Sequence, residues 1–150
     1  MTVLPPSLPP RLRRGLTHAL RAAARTLRRR ARLARLLRMT VDKVRRHPEA
    51  LRRVRSDVLV LARMARAWMR REYRDVPWRS LLYAVGALIY FVNPADLVPD
   101  ALVGLGFVDD MAVIAAVTRA LRDDLNRFVS WEEARTTSRP APTTTLTQRP

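Results

Sequence analysis

Hydrophobic residues recur at spacings of three, four and seven along most of this chain, which is the period of an amphipathic α-helix. Such stripes run through residues 11–40, 48–74 and 108–131, and His47-Pro48 separates the first two. No segment alternates apolar and polar residues between turn signals, so no β-sheet is expected. The pattern therefore predicts an all-α chain. The stripes consist of Leu12, Leu16, Leu20, Ala23, Leu27, Ala34 and Leu37, then of Leu51, Val54, Val58, Leu61, Ala65 and Trp68, and finally of Phe107, Met111, Ile114, Leu121, Leu125 and Phe128.

Residues 77–92 form a further predicted helix that is apolar on every side. Pro77 suits the first helical position, and Asn93-Pro94 ends the run. Residues 81–92 carry no charge, and they cover about 18 Å as a helix, against the roughly 30 Å of a bilayer core. Three alternatives follow for this segment: a buried core helix, a re-entrant element or a marginal transmembrane span. With residues 108–131 it forms a predicted apolar hairpin.

Composition divides the chain into four parts. Residues 1–10 hold four prolines and no charge, and residues 134–150 are rich in Thr and Pro, so both are expected to be disordered. Two basic amphipathic helices occupy residues 11–76. The apolar hairpin and its loop occupy residues 77–133.

Charge is distributed as unevenly as hydrophobicity. The net charge is +16, but residues 1–79 hold 23 basic and 5 acidic residues (+18), whereas residues 80–150 hold 6 and 8 (−2). Every basic residue except Lys43 is an arginine, and guanidinium groups suit phosphate-bearing partners. An apolar content of 48% excludes a disordered polycation. The densest run is predicted to bind an anionic surface and consists of Arg28, Arg29, Arg30, Arg32, Arg35 and Arg38.

Candidate catalytic chemistry is sparse in this sequence. The absence of cysteine excludes disulfides, thiolate metal sites and cysteine nucleophiles. No glycine-rich phosphate loop, GxSxG or HExxH motif is present, and His18 and His47 stand among arginines. No catalytic residue is therefore predicted. We therefore expect that the protein is not an enzyme. The remaining enzymatic alternative is a metal-dependent reaction at the acidic loop residues.

Polar residues gather in the loop of the predicted hairpin, beside the most apolar sequence in the chain. Five of them fall within 18 residues, namely Asn93, Asp96, Asp100, Asp109 and Asp110. Carboxylates in such surroundings need a cap, an ionic partner or a metal. In the capping interpretation, Asn93 precedes Pro94 as an N-cap, Asp100 follows Pro99 in a second turn, and Asp109 caps the last helix.

Two further roles stay open for these carboxylates. They pair with cations of the chain or of a partner, the candidates in the chain being Arg79, Arg119 and Arg122. Alternatively they bind a hard cation such as Mg²⁺ or Ca²⁺, which prefers oxygen ligands, although the spacing is not that of an EF-hand. The candidate ligands are Asp96, Asp100, Asp109 and Asp110.

The same loop carries a family resemblance. Residues 90–114 read YFVNPADLVPDALVGLGFVDDMAVI and resemble the signature of the YkvA-like family, a bacterial domain of unknown function (number 1232), over about residues 83–117. Val103 stands where that family usually has a second proline. The resemblance implies a small helical protein, associated with or integral to the membrane, with no established activity. The residues that match are Tyr90, Pro94, Asp96, Pro99, Asp100, Gly106, Phe107, Asp109 and Asp110. The predicted loop motif consists of Asn93, Pro94, Asp96, Pro99, Asp100, Gly106, Asp109 and Asp110.

Charge, hydrophobicity and the resemblance together favour a membrane-associated helical protein with a scaffold or interaction role. Its basic N-terminal half is expected to lie on anionic lipid at the cytoplasmic side of the cytoplasmic membrane. Other membrane proteins or a second copy are its expected protein partners. Four aromatic residues near the junction of the basic and apolar parts are either interface anchors or core residues: Trp68, Tyr73, Trp78 and Tyr83.

Two alternative functions remain. Arginines along helical faces also mark nucleic-acid-binding modules, but no helix-turn-helix spacing, zinc site or stacking strand is visible, so only non-specific nucleic-acid binding is expected. The second alternative is a divalent-cation-binding protein or enzyme that uses the acidic loop cluster. No other cofactor is predicted.

Overall fold

The computed structural model describes residues 10–92 and 106–139, apart from the side chains of Arg11, Leu12 and residues 106–110. The described residues form α-helices joined by turns, without a strand, which confirms the all-α prediction. The expectations for the N-terminal tip and for most of the C-terminal tail lie outside these residues. The helices are α1 (Pro10–Leu27), α2 (Arg30–Arg46), α3 (Arg55–Met69), α4 (Trp78–Val92), α5 (Gly106–Ala120) and α6 (Arg122–Thr137).

The apolar helix α4 is the centre of the fold. It contacts α1, α2, α3 and α5, and its most extensive contact is with α1. Nine of its 15 residues are buried, and Leu81, Ala84 and Phe91 are fully inaccessible to solvent. Of the three alternatives for this apolar run, the structure contains the buried core helix. Within the described residues, no helix combines the length and the hydropathy needed to cross a bilayer.

α1 and α4 approach each other closely through small residues. A Cβ added to Gly86 would lie 3.0 Å from Cδ2 of Leu20 and 3.6 Å from the backbone nitrogen of the same residue. Ala19 in α1 and Ala87 in α4 are fully buried. The arginine-rich first helix therefore uses its stripe of small and aliphatic residues to cover the apolar helix, and its arginines are left on the outside.

The predicted helix over residues 11–40 is in fact two helices, α1 and α2. The chain leaves the helical conformation at Arg29, whose φ of −128° and ψ of 105° are extended. Residues 28–32 supply only Ala31 as an apolar residue, so no stripe continues through this stretch. Reversal here lets α1 and α2 contact each other and both contact α4, which a single straight helix of this length could not do.

The second predicted helix, residues 48–74, is shortened at both ends. Residues 48–54 form turns, and α3 covers only Arg55–Met69. These turns retain helix-like hydrogen bonds, such as that from the Leu51 amide to the His47 carbonyl at 3.1 Å. Leu51 and Val54 are buried as the stripe predicted. A succession of turns thus has the same spacing of apolar residues as a helix. For this reason the hydrophobic pattern does not distinguish the turns of residues 48–54 from a continuation of the helix.

The predicted helix over residues 108–131 is also divided, into α5 and α6. It begins earlier and ends later than expected, and it turns at Leu121 (φ −99°, ψ 14°). The turn sends the chain across the bundle, because α5 packs against α4 while α6 packs against α3. Ile114, Leu121, Leu125 and Phe128 are buried as predicted. α5 covers only one side of α4, so the hairpin is not a unit separate from the basic helices.

Gly86 allows a direct test of the α1–α4 approach. Replacement with valine should lower the free energy of unfolding by about 1–3 kcal/mol, because the added atoms overlap α1. The matched variant Gly86→Ala should be close to neutral, because its contact is with the flexible end of Leu20 and alanine favours a helix by about 1 kcal/mol over glycine. Urea unfolding checks both, and an unchanged Gly86→Val midpoint would contradict the close approach.

The C-terminus of α3 carries backbone strain that can be relieved. Arg71 has φ 61°, and the amides of Arg71 and Glu72 donate to the carbonyls of Trp68 and Ala67 at 3.0 Å each. This is a Schellman motif with arginine where glycine is preferred. Arg71→Gly should therefore raise the free energy of unfolding by about 1 kcal/mol, whereas the neighbouring Arg70→Gly should not raise it. Equal effects of the two variants in urea unfolding would refute this interpretation.

Candidate functional site

The acidic loop cluster lies largely outside the described residues. Asn93, Asp96 and Asp100 fall there, with Pro94 and Pro99. Gly106, Asp109 and Asp110 belong to the first two turns of α5. The prediction that Asp109 is the N-cap of this helix is therefore wrong, because α5 begins three residues earlier, at Gly106. Among the described residues, no group of three acidic or histidine side chains is placed to hold a metal ion. The metal interpretation of the loop stays a prediction.

Lys43 fixes the end of α4 from which this loop departs. Its ammonium group donates a hydrogen bond to the carbonyl oxygen of Phe91 and lies 4.6 Å from the centre of the Phe91 ring. A helix C-terminus leaves carbonyl groups without partners in the helix, and a cation there is favourable. In the sequence, Lys43 is distinguished as the single lysine among 29 basic residues.

The six arginines predicted to bind an anionic surface are all exposed: Arg28, Arg29, Arg30, Arg32, Arg35 and Arg38. Arg30 also has a structural role, because its guanidinium donates to the carbonyl oxygen of Met69 at 2.7 Å. That hydrogen bond holds the α1–α2 junction beside the C-terminus of α3. α2 begins without a side-chain cap and without an acidic residue in its first turn, so the positive end of its dipole adds to the arginine charge.

Two tryptophans lie at the same end of α3. The rings of Trp68 and Trp78 are 6.2 Å apart, and Trp68 directly precedes the residue that accepts the Arg30 hydrogen bond. Trp78 is 49% exposed, whereas Trp68 is half-buried. We call Arg28, Arg29, Arg30, Trp68 and Trp78 the arginine–tryptophan end. Of the four aromatic residues named from the sequence, Trp78 is exposed to solvent, Tyr73 is buried in the core, and Trp68 and Tyr83 are half-buried.

Grooves flank α3 on both sides, and arginines line them. The groove between α2 and α3 has a volume of about 460 Å³ and is mainly apolar. The groove formed by α3, α5 and α6 is larger, at about 740 Å³, and we call it the α3–α5–α6 groove. Its lining includes one acidic residue, Asp57, and four arginines: Arg55, Arg63, Arg119 and Arg122. Sequence spacing alone did not reveal this convergence, because the four arginines come from three helices.

α6 is held to the bundle by a cluster of aromatic and polar contacts. The Tyr73 ring lies 5.3 Å from that of Phe128 and 4.9 Å from that of Trp131. Ser80 and Arg127 both donate hydrogen bonds to the Asp124 carboxylate, which joins the start of α4 to the start of α6. Burial raises the pKa of Tyr73, and the charges of Asp75 and Asp124 raise it further while Arg127 lowers it.

The part of the chain that carries the predicted loop motif matches a known protein family. Residues 80–116 match the family described as "Protein of unknown function (DUF1232)". The chain carries a YkvA-like DUF1232 segment. This match confirms the predicted resemblance, and the family description names no enzymatic activity. In the structure the DUF1232 segment contains most of α4 and of α5, whereas α1, α2 and α3, which cover α4, lie outside it.

Two curated proteins are similar to parts of the chain. The "Uncharacterized membrane protein YkvA" of Bacillus subtilis is 34% identical over 68 residues, which are 45% of this chain and 64% of that protein. The "E3 ubiquitin-protein ligase RNF170" of Xenopus laevis is 51% identical over 37 residues, 24% of this chain and 14% of that protein. The chain thus spans less than two thirds of either relative. No solved structure matches it.

Tyr73 makes the stability of the fold depend on pH in the alkaline range. Because its folded pKa is raised, the unfolded chain loses this proton first, and stability falls as pH rises above about 10. Tyr73→Phe should therefore flatten the decline in urea midpoint between about pH 9 and about pH 12. Tyr83→Phe is the control and should keep the decline of the parent. A decline equally steep in Tyr73→Phe would exclude Tyr73 as its source.

Proposed function

We propose that this protein is a peripheral, membrane-associated helical protein with a scaffold or interaction role, which adheres to anionic lipid through the arginine–tryptophan end. The observation that carries the proposal is the burial of its apolar stripes. Leu16, Leu33 and Val58, in α1, α2 and α3, are each fully inaccessible to solvent. With those faces committed to the core, the exposed groups of the described residues that a membrane could meet include the arginines and two large hydrophobic residues, Met39 and Trp78.

Electrostatic attraction supplies enough binding free energy for this contact with the membrane. Each arginine near an anionic leaflet contributes about 1 kcal/mol, and Arg28, Arg29 and Arg30 are exposed, so together they supply about 3 kcal/mol. Tryptophan is enriched at membrane interfaces, where its ring is apolar and its N–H remains hydrated. The half-exposed Trp78 therefore adds an anchor at the same end of the bundle.

The similarity to YkvA supports the same proposal, because that relative is named a membrane protein. The excess of arginine in residues 1–79 favours the cytoplasmic leaflet, which is anionic and retains basic segments. Other membrane proteins or a second copy of the chain are the proposed partners on that surface. The acidic loop of the DUF1232 segment is the proposed contact with the cations of such a partner.

Vesicle co-sedimentation tests the arginine–tryptophan end. Arg28→Gln combined with Arg29→Gln should weaken binding to phosphatidylglycerol-containing vesicles by roughly 30-fold, since two arginines supply about 2 kcal/mol. The matched control, Arg13→Gln with Arg14→Gln, removes the same charge from exposed positions about 20 Å away along α1. It should bind within about threefold of the parent. Equal weakening by both pairs would show that net charge alone is responsible and would contradict a defined binding end.

Salt separates this mode of binding from insertion of the hairpin. Raising the ionic strength from about 0.1 M to about 1 M shortens the screening length from about 10 Å to about 3 Å, so a peripheral protein should leave the vesicles. Trp78→Ala should leave them at lower salt than the parent, because its apolar anchor is lost. Retention of the parent at high salt, with release only by detergent, would overturn the peripheral mode.

A further inference from the structure

The α3–α5–α6 groove has the chemistry of a ligand site that is independent of the proposed membrane contact. Arg55 and Arg63 come from α3, Arg119 from the end of α5 and Arg122 from the start of α6. Like charges around one concave surface repel one another. Three helices therefore place four arginines around one groove, and an anion bound there would reduce the repulsion between their charges.

Acidic side chains of the described residues do little to neutralise this groove. Arg63 forms a salt bridge with Glu132 at 3.0 Å, and both side chains are substantially exposed. Within residues 10–92 and 106–139, Arg55, Arg119 and Arg122 have no ion pair. Burial raises the pKa of Asp57, and within the described residues no salt bridge joins this carboxylate to the arginines of the groove. Three guanidinium groups of the groove thus have no carboxylate partner among the described residues.

The uncharged residues that line the groove indicate which chemical groups a ligand has besides its anionic group. Leu59, Val60, Leu125 and Val129 provide apolar surface, and Asn126 provides an exposed amide. A volume of about 740 Å³ falls within the range of about 300–1,000 Å³ that is usual for small-molecule sites. The groove is therefore large enough for an organic body as well as an anionic group.

We infer that the α3–α5–α6 groove binds an organic phosphate that carries more than one negative charge, with Arg55, Arg119 and Arg122 on the phosphate oxygens and the apolar lining against the organic part. Guanidinium groups bind phosphate through two parallel N–H···O hydrogen bonds, which an ammonium group cannot reproduce. A soluble phosphate ester and the head group of a phosphomonoester lipid share this chemistry.

Calorimetric titration of the full-length chain with ADP, and separately with inorganic pyrophosphate, tests the groove. Arg119→Gln combined with Arg122→Gln should weaken ADP binding at least about tenfold, and the corresponding lysine pair should restore only part of it. Arg13→Gln with Arg14→Gln should bind ADP as the parent does. ADP should bind more tightly than pyrophosphate, because only ADP has an organic part for the apolar lining.

A variant that should strengthen ADP binding keeps the test decisive if the variant with both Arg119 and Arg122 replaced is unstable. Asp57→Asn removes the carboxylate of the groove and should strengthen ADP binding about threefold or more. Arg28→Gln with Arg29→Gln should leave ADP binding intact, so loss of membrane binding and loss of groove binding are distinguishable. The inference would be overturned if the Arg119 and Arg122 substitutions weakened ADP binding no more than the Arg13 and Arg14 substitutions do. It would also be overturned if Asp57→Asn left ADP binding unchanged.

Vesicles distinguish the two sources of phosphate. A lipid ligand predicts that the parent binds phosphatidic acid vesicles more tightly than phosphatidylglycerol vesicles, and that the Arg119 and Arg122 substitutions remove this preference. A soluble ligand predicts ADP binding without such a preference. Either result supports the groove as a phosphate site, and the absence of both refutes it.

Discussion

The uncharged run of α4 has to be covered on every side, and this requirement organises the whole molecule. The run from residue 81 to residue 92 contains no charged residue, so any face left in water would lose the free energy that burial provides, at about 25 cal/mol per Å². Four helices, α1, α2, α3 and α5, pack around it. Gly86 lets α1 approach most closely, and Lys43 satisfies the end of the helix at Phe91.

The arginine surface is a consequence of the same constraint. Each covering helix turns its aliphatic stripe towards α4, and only its opposite face remains for charged side chains. Long arginine stems can line grooves while their guanidinium groups stay hydrated. Where two or three helices meet at the surface, the arginines converge, as at the α1–α2 junction and in the α3–α5–α6 groove. The arginine charge is thus concentrated in defined clusters rather than spread as a uniform coat.

The hydrophobic pattern predicted which residues are buried far better than where each helix ends. Val58, Leu61 and Ile114 are buried as their spacing required, because that spacing responds directly to the core. The turns at Arg29 and Leu121 contain neither glycine nor proline and are imposed by packing against α4 and α3, which a one-dimensional pattern does not contain. The six-arginine run was recognisable as exposed, but the groove arginines were not recognised as a group, since helices distant in sequence bring them together. The roles predicted for the acidic loop residues remain predictions.

Hydrogen exchange of the full-length protein, with and without anionic vesicles, tests the central claim that α4 is covered by its own chain while the protein is on a membrane. The amides of α4 should be the slowest to exchange and should keep their protection when vesicles are added, because they exchange only through global unfolding. On phosphatidylglycerol vesicles, which carry no phosphomonoester, the protection gained should be confined to the arginine–tryptophan end. Loss of protection in α4 on binding, or faster exchange in α4 than in α1 without lipid, would contradict a core helix that stays buried at the membrane.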